Sequence, residues 1–286
     1  MLQASYTHQP LMEATLRPRT ILAAATALAA AAAAVLATSG AASASIGPYA
    51  ALGDSYSSGV GAGSYSGGSC DRSAYAYGQL WANANSPSSF DFAACSGART
   101  SDIVNTEAPT LSSSTVLVSL TIGGNDVNFA STMETCVEDF WTDSSCLNAI
   151  SADEQAVQTT LPAALDSALN AITQHAPSAK VVLLDYPHFY DLSQSSGCIG
   201  LDTTERTAVD NGIDMLDTAI QAAASRHGAY FADVRNQFAG HEICDGSSWL
   251  NSVNIFDIDS SYHPTQAGQQ DGYYPVFKAA ATAVGV

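Results

Sequence analysis

Residues 53–59 read Gly53-Asp54-Ser55-Tyr56-Ser57-Ser58-Gly59 and follow the apolar run Tyr-Ala-Ala-Leu at 49–52. The apolar run predicts a short buried strand, and the glycine-rich stretch predicts a tight turn at its carboxyl end. Such a turn can present Ser55 as a nucleophile, although Gly, Asp and Ser also form ordinary turns. A serine hydroxyl needs a base within hydrogen-bond reach and donors for the developing oxyanion. If Ser55 is reactive, the rest of the chain must therefore supply a base and donors for the oxyanion.

Short apolar runs alternate with longer helical patterns in the rest of the chain. This alternation predicts an α/β fold, a three-layer α/β/α domain with a central, mainly parallel five-stranded sheet. The predicted strands are 49–52, 90–93, 116–122, 180–185 and 229–232. The predicted helices are 74–83, 153–175, 204–227 and 265–284. Two long segments are expected to be irregular and to wall a substrate cleft, namely 133–150 and 186–203.

Three further segments carry glycine or polar residues of possible chemical use: Cys-Ser-Gly-Ala at 95–98, Ile-Gly-Gly-Asn-Asp at 122–126 and Tyr-His-Pro at 262–264. Ligands of open α/β sheets bind at the carboxyl ends of strands, so the first two segments should meet the serine turn there. Read in order with that turn, the segments resemble the four blocks of the SGNH (GDSL-type) hydrolases, over about residues 49–270. The resemblance implies the SGNH hydrolase fold and an esterase, lipase or acyl hydrolase activity.

The resemblance implies that Ser55 is the nucleophile and His263 the general base, which takes the serine proton and returns it to the leaving alcohol. The oxyanion would be bound by the backbone N–H groups of Ser55 and Gly97 and by the side-chain amide of Asn125. Neither a metal nor an organic cofactor is implied. Asp54 is expected to shape the turn rather than to act as an acid. Four other histidines are expected to be structural or solvent-facing: His175, His188, His227 and His241.

The chain departs from the family pattern Asp-x-x-His, because Ser260 stands three residues before His263. A serine side chain cannot supply the negative charge that normally stabilises the imidazolium. Some secreted lipases of this family use a main-chain carbonyl instead. The resemblance to them implies that the carbonyl of Ser260 or Ser261 orients His263. The alternative is that Asp259 moves in to complete a triad. We favour the carbonyl, because the imidazole needs only an acceptor to fix its tautomer.

Six cysteines are an even number in a chain expected to be exported, which favours three disulfides over free thiols. The favoured pairs are Cys70 with Cys95, Cys136 with Cys146 and Cys198 with Cys244. Each pair closes one loop beside a motif block, and three-disulfide secreted lipases of the SGNH family look similar. No C-x-x-C pair or clustered Cys/His spacing supports zinc, so no metal site is expected.

Residues 1–44 have the layout of a secretory signal peptide, with a basic segment at 17–19, an alanine-rich apolar stretch at 21–38 and Ala-Ser-Ala at 42–44. A membrane-spanning helix is disfavoured, because alanine is only weakly hydrophobic and the small-residue site follows at once. Residues 45–286 are predicted to form one secreted, extracellular catalytic domain. The net charge of −18 would repel nucleic acid and anionic membranes. We expect a monomer without stable membrane insertion.

Together the patterns predict a secreted carboxylic ester hydrolase that forms an acyl-enzyme on Ser55. Its substrate would be a small-molecule or lipid ester, with lipase, short-chain esterase and phospholipase A activities all open. The apparent absence of an amphipathic lid favours soluble or partly soluble esters. The alternatives are a carbohydrate acetylesterase on the same scaffold and a non-catalytic secreted binding protein. Candidates for an acyl pocket are Phe129, Phe140, Trp141 and Phe189.

Overall fold

The computed structural model describes residues 46–66, 68–138, 143–193, 200–254 and 257–286. The predicted signal peptide lies outside these ranges, as do Cys198, Phe140 and Trp141.

A parallel five-stranded sheet forms the centre of the domain. In chain order the strands are β1 Tyr49–Ala51, β2 Tyr65–Ser66, β3 Arg72–Ser73, β4 Phe90–Phe92, β5 Leu117–Leu120, β6 Lys180–Leu184 and β7 Tyr230–Ala232. The sheet has the order β4-β1-β5-β6-β7, and every neighbouring pair is parallel. The predicted sheet is therefore confirmed, with slightly shorter strands. The small antiparallel hairpin of β2 and β3 was not predicted from the sequence.

Helices cover both faces of this sheet, which explains why β1 and β5 are buried along their whole length. In chain order the α-helices are α1 Ser55–Ser58, α2 Tyr77–Asn85, α3 Thr100–Asp102, α4 Phe129–Glu138, α5 Asp143–Thr159, α6 Leu161–His175, α7 Thr203–His227, α8 Arg235–Phe238 and α9 Tyr274–Ala283. Helices α2 and α9 pack on one face, and α7 packs on the other with α5 and α6 beside it. The predicted three-layer α/β/α architecture is confirmed.

The long helix α7 begins and ends where local sequence rules place its boundaries. The Asp202 carboxylate accepts from the Glu205 N–H at 2.8 Å, and the Glu205 carboxylate accepts from the Asp202 N–H at 2.9 Å. This capping box satisfies two backbone donors that the first turn leaves free. Gly228 ends the helix with φ of 66°, a left-handed conformation that suits glycine.

The prediction that 133–150 is irregular is wrong. Most of the described part of this segment lies in α4 and α5, and a disulfide between Cys136 and Cys146 joins the two helices. The single helix predicted at 153–175 is also wrong, since α5 ends at Thr159 and α6 begins at Leu161. Pro162 explains the break, because proline suits a first helical turn but interrupts a helix interior.

The closing helix is also less regular than predicted. Its expected range, 265–284, contains π-helical backbone over Gly268–Tyr273 before α9 begins at Tyr274. Thr265 accepts a hydrogen bond from the Gly268 N–H through its hydroxyl at 3.2 Å, which agrees with its expected place at the helix start.

A second disulfide joins Cys70 to Cys95, which holds the β2–β3 hairpin region against the loop after β4. Both described pairs are among those favoured from the sequence. Cys244 is also disulfide-bonded, and its expected partner, Cys198, lies outside the described residues.

Aromatic packing fixes β1 between the helices of one face. The Tyr49 ring lies 4.9 Å from the Trp81 ring of α2 and 5.6 Å from the Phe277 ring of α9, measured between centroids. Its hydroxyl is 2.7 Å from the Ser119 hydroxyl on β5. Burying each of these rings stabilises the fold by about 1.5–3 kcal/mol, and the hydroxyl pair satisfies the polar end of Tyr49.

Replacing both Cys136 and Cys146 by alanine should lower the free energy of unfolding by about 2–3 kcal/mol, because the unfolded chain gains the freedom of an open loop. Guanidinium denaturation followed by circular dichroism measures the change. Gln221→Ala, on an exposed position of α7, serves as the control and should stay within about 0.5 kcal/mol of the parent. An unchanged midpoint in the double variant would show that this disulfide does not stabilise the α4–α5 pair.

Candidate active site

Ser55 stands at the first position of α1, which residues 52–54 connect to the carboxyl end of β1. The turn requires Gly53, because its φ is 110° and an added Cβ would lie 2.2 Å from the Thr121 carbonyl oxygen. Asp54 caps α1 by accepting from the Tyr56 N–H at 3.1 Å. Ser55 is 8 % exposed and lines a pocket at this edge of the sheet. The turn thus holds the Ser55 side chain at the pocket wall.

The carboxyl group of Asp54 joins the nucleophile turn to the ends of two further strands. One oxygen accepts from the Thr121 hydroxyl at 2.6 Å, just after β5. The other accepts from the hydroxyl of Tyr186, just after β6. The Tyr186 hydroxyl in turn accepts from the Gly124 N–H at 3.2 Å. Burial raises the pKa of Asp54 to about 6, and its hydrogen bonds to Thr121 and Tyr186 limit the rise. Asp54 shapes the turn, as expected.

A second buried carboxyl group, Glu107, supports the same turn. The Gly53 N–H donates to its Oε2 at 2.6 Å. Burial raises the pKa of Glu107 to about 8, while the bond from Gly53 opposes the rise. A mainly neutral carboxyl group at pH 7 therefore lies under the turn. Glu107 was not predicted from the sequence, because it lies outside every motif block and no pattern around it indicates a buried position.

His263 lies against Ser55 and is oriented by the main chain. Its Nε2 is 2.7 Å from the Ser55 Oγ, and its Nδ1 is 3.0 Å from the carbonyl oxygen of Ser261. A hydrogen on Nδ1 donates to that carbonyl, which leaves Nε2 free to accept from the Ser55 hydroxyl. The carbonyl of Ser260 instead accepts from the His263 backbone N–H at 3.2 Å. Of the two expected carbonyls, the structure brings that of Ser261 to the imidazole.

The imidazole is poised as a neutral base. Burial lowers the pKa of His263 to about 4, because a charged ring loses its hydration in this site. The Ser261 carbonyl and the negative charge of Asp259 oppose this change only in part. The Asp259 main chain opposes it as well, and at pH 7 His263 is unprotonated and able to accept a proton.

The segment that carries His263 is tied to the nucleophile side of the pocket. The Tyr56 hydroxyl donates to the Tyr262 carbonyl oxygen at 2.6 Å. The carbonyl of His263 accepts from the backbone N–H of Asn251 at 2.9 Å and from its side-chain amide at 3.0 Å. A Cβ on Gly61 would lie 2.9 Å from the His263 Cβ, so glycine permits the close approach. Neither Tyr56 nor Asn251 was predicted to support the site, although Tyr56 adjoins the nucleophile in the motif.

The three expected oxyanion donors lie at the same pocket. Ser55, Gly97 and Asn125 all line it. Neither the Ser55 N–H nor the Gly97 N–H has an acceptor among the described residues. The Asn125 amide donates to the Ala98 carbonyl at 3.0 Å, which fixes its orientation and leaves its second hydrogen for a ligand. Each of the three expected donors therefore has an N–H without a described acceptor at this pocket.

Next to these donors the pocket is largely apolar. It has a volume of about 470 Å³, and two of the candidate acyl-pocket residues, Phe129 and Phe189, lie in its wall. Met133 and Val137 also line it and belong to the segment 133–150, which was expected to wall the cleft, while Ile213 and Leu216 line it from α7. The first two were not named individually, because this segment was predicted to be irregular. The other two belong to the predicted helix at 204–227, whose pocket-facing side was not identified.

Three other histidines make contacts away from this pocket, and His175 is exposed on α6. His227 and His188 each lie 2.9 Å from a carboxylate, that of Asp166 and that of Asp214. The ring of His241 stacks on Trp249 at 3.7 Å between centroids. These contacts agree with the structural roles expected from the sequence.

A buried serine in contact with a neutral imidazole, at the carboxyl edge of a parallel sheet between two helical layers, is the arrangement of a serine hydrolase. Residues 51–270 match the GDSL-like Lipase/Acylhydrolase family. The chain belongs to this family.

Related proteins support this assignment. The chain is 54% identical over 235 residues to Lipase 1 of Streptomyces coelicolor, covering 82% of this chain and 86% of that lipase. The crystal structure of phospholipase A1 from Streptomyces albidoflavus has a TM-score of 0.79 at 51% identity, covering 83% of this chain and 100% of that one. The crystal structure of an extracellular lipase from Streptomyces rimosus has a TM-score of 0.77 at 46% identity, covering 82% and 99%.

The lowered pKa of His263 leads to a testable pH dependence. A general base must be neutral in the free enzyme, so kcat/KM should keep its plateau to about pH 5 and fall with an acid limb near 4. A soluble short-chain p-nitrophenyl ester allows the measurement. An acid limb near 6.5, the usual histidine value, would contradict the lowered pKa of the imidazole.

Circular dichroism at each pH provides the control for folding. The unfolded state binds a proton at His263 more readily than the folded state. The same group therefore reduces stability as the pH falls from about 6.5 through 4. Only pH values at which the enzyme stays folded enter the profile.

Proposed function

We propose that this protein hydrolyses lipid esters with long acyl chains through an acyl-enzyme on Ser55. The contact between the His263 Nε2 and the Ser55 Oγ, 2.7 Å, carries the proposal. That distance lies within the range needed for proton transfer between a nucleophile and its base. The apolar pocket opens beside this contact and can hold an acyl chain.

In the proposed first step, the Ser55 Oγ attacks the ester carbonyl carbon while its proton moves to the His263 Nε2. The imidazolium keeps its Nδ1–H bond to the Ser261 carbonyl. The carbonyl oxygen gains a negative charge that the N–H donors of Ser55, Gly97 and Asn125 bind. The carbon–oxygen bond to the alcohol then breaks, and the alcohol leaves with the proton from Nε2.

In the second step, water attacks the acyl-enzyme. His263 takes a proton from this water and passes it to the Ser55 oxygen as the acyl bond breaks, which releases the carboxylic acid and restores the serine. A main-chain carbonyl serves here in place of a carboxylate. A neutral acceptor fixes the tautomer of the imidazole, although it stabilises the imidazolium less than a negative charge would.

The lining of the pocket favours a fatty acyl group over an acetyl group. Phe129, Met133, Phe189, Ile213 and Leu216 bring aromatic and aliphatic surface to the reacting serine, and each buried methylene of a substrate contributes about 0.8 kcal/mol there. A carbohydrate acetylesterase would gain nothing from this surface. The relatives named lipase and phospholipase A1 make triglycerides and phospholipids the leading substrates. A non-catalytic binding role would not explain the contact between Ser55 and His263.

We further propose that the protein is exported, that residues 1–44 are removed as a signal peptide, and that the mature chain is a monomer. Disulfides persist in oxidising compartments, which supports export. A relative from Streptomyces rimosus is named as an extracellular lipase. Within the described ranges, no helix is long and apolar enough to cross a membrane.

Ser55→Ala and His263→Ala should each lower kcat by several orders of magnitude on p-nitrophenyl butyrate and on an emulsified triglyceride, because each removes half of the proton-transfer pair. Asp259→Asn should change kcat by less than about threefold, since the Ser261 carbonyl rather than this carboxylate orients the imidazole. Steady-state kinetics on purified protein measures all three variants.

Thermal melting of each variant separates loss of chemistry from loss of fold. Collapse of turnover in folded Asp259→Asn enzyme would rule out the dyad in favour of a triad. Full activity in Ser55→Ala would show that Ser55 is not the nucleophile.

A further inference from the structure

Tyr262, the residue before His263, has a left-handed backbone with a φ of 63°. The other described non-glycine residues with positive φ are serine, aspartate, asparagine and cysteine residues. A bulky aromatic residue rarely adopts this conformation, because its Cβ approaches a neighbouring carbonyl oxygen. The conformation costs free energy and persists only where the surrounding structure fixes it. It therefore indicates a function for the backbone at this position.

The backbone torsions of Tyr262 decide where the Ser261 carbonyl points relative to His263. Tyr262 lies between the peptide group that contains this carbonyl and the peptide group of His263, and φ and ψ are the two soft torsions between them. In the left-handed conformation the carbonyl oxygen lies 3.0 Å from the His263 Nδ1. The negative φ of ordinary residues would rotate the first peptide group by about 120° or more about the N–Cα bond, which turns its carbonyl away from the imidazole.

Hydrogen bonds hold both peptide groups that flank Tyr262. On one side, the Tyr262 N–H donates to the Asn251 carbonyl at 2.9 Å. On the other side, the Tyr262 carbonyl accepts from the Tyr56 hydroxyl at 2.6 Å. The His263 N–H of the same peptide group donates to the Ser260 carbonyl at 3.2 Å. These bonds fix the two peptide planes and offset the cost of the left-handed backbone.

The side chain of Tyr262 is anchored as well. It is buried, and its ring stacks on the Phe189 ring at 5.3 Å between centroids. Its hydroxyl lies 3.1 Å from the Tyr190 hydroxyl. The Arg206 guanidinium in turn lies 5.2 Å from the centre of the Tyr190 ring, within the range of a cation–π interaction. This packing holds the Tyr262 ring, and with it the Cα, in one place.

We propose that Tyr262 is a positioning residue for the general base. Its left-handed backbone directs the Ser261 carbonyl to the His263 Nδ1 and so fixes the tautomer whose Nε2 can accept the serine proton. This inference rests on the proposed function, in which His263 takes that proton. A carboxylate partner can reach an imidazole through its own side-chain torsions, whereas a carbonyl two residues before the histidine is directed by the backbone between them.

Tyr262→Asn and Tyr262→Val form a matched pair that tests this role. Both remove the ring and introduce side chains of similar size, but asparagine tolerates a left-handed backbone and the β-branched valine disfavours it. The first readout is the position of the ring proton at pH 7, measured by NMR of protein labelled with ¹⁵N-histidine. His263→Ala assigns the signal. The signal of His175, which is exposed on α6, should be the same in all variants.

The His263 signal should show a protonated Nδ1 in the parent and in Tyr262→Asn, and a mixture of tautomers in Tyr262→Val. Steady-state kinetics on p-nitrophenyl butyrate gives the second readout. The kcat of Tyr262→Val should be about tenfold below that of Tyr262→Asn, because valine favours other backbone conformations by about that factor. KM should be similar in the pair, since both variants lack the ring that lines the main pocket.

Thermal melting shows whether each variant is folded. If Tyr262→Val does not fold, Tyr262→Ala takes its place in the comparison, because alanine also disfavours a left-handed backbone but has no β-branch. A purely structural role would lower Tm without separating the two variants in tautomer or in kcat.

Equal tautomer populations and equal kcat in the folded pair therefore overturn the role of Tyr262 and leave the ester hydrolase in place. A parent enzyme that hydrolyses no ester overturns the proposed function instead, and the tautomer comparison still tests whether Tyr262 orients the imidazole.

Discussion

The buried carboxyl group of Asp54 is the constraint on which the site depends. It caps α1, which carries Ser55, and it accepts hydrogen bonds from Thr121 and Tyr186 at the ends of β5 and β6. Placing a carboxyl group in the interior costs free energy unless its oxygens are bonded, so this network can exist only when three strand ends are in register. The nucleophile is thereby positioned by the sheet itself rather than by a mobile loop.

The other half of the site depends on backbone rather than on charge. His263 is held by the Ser261 carbonyl, and its own carbonyl is bound twice by Asn251. A carboxylate next to the ring would raise the pKa of the imidazole, whereas the buried carbonyl leaves it low. His263 therefore stays neutral in moderately acidic surroundings, and its imidazole is oriented without an ionised partner.

Much of this arrangement could be predicted from the sequence because parallel strands place their carboxyl ends at one edge. The motifs around Ser55, Gly97 and Asn125 follow three such strands, so their meeting required no side-chain detail. The choice between Ser260 and Ser261 was different, since it depends on the unusual positive φ of Tyr262, 63°. Helix α4 and the first part of α5, 143–152, were missed because their sequence is rich in Ser, Thr and Asp. Helix α5 packs against α7, and α4 packs against α5 and is joined to it by a disulfide.

The central claim is that Ser55 and His263 act on an ester whose acyl chain lies in the apolar pocket. A crystal structure of the enzyme after reaction with a long-chain alkyl phosphonate would test it most directly. The account predicts phosphorus bonded to the Ser55 Oγ and a phosphonate oxygen within hydrogen-bond distance of the N–H groups of Ser55, Gly97 and Asn125, with the alkyl chain against Phe129. Labelling of another residue, or an oxygen bound away from those donors, would contradict it.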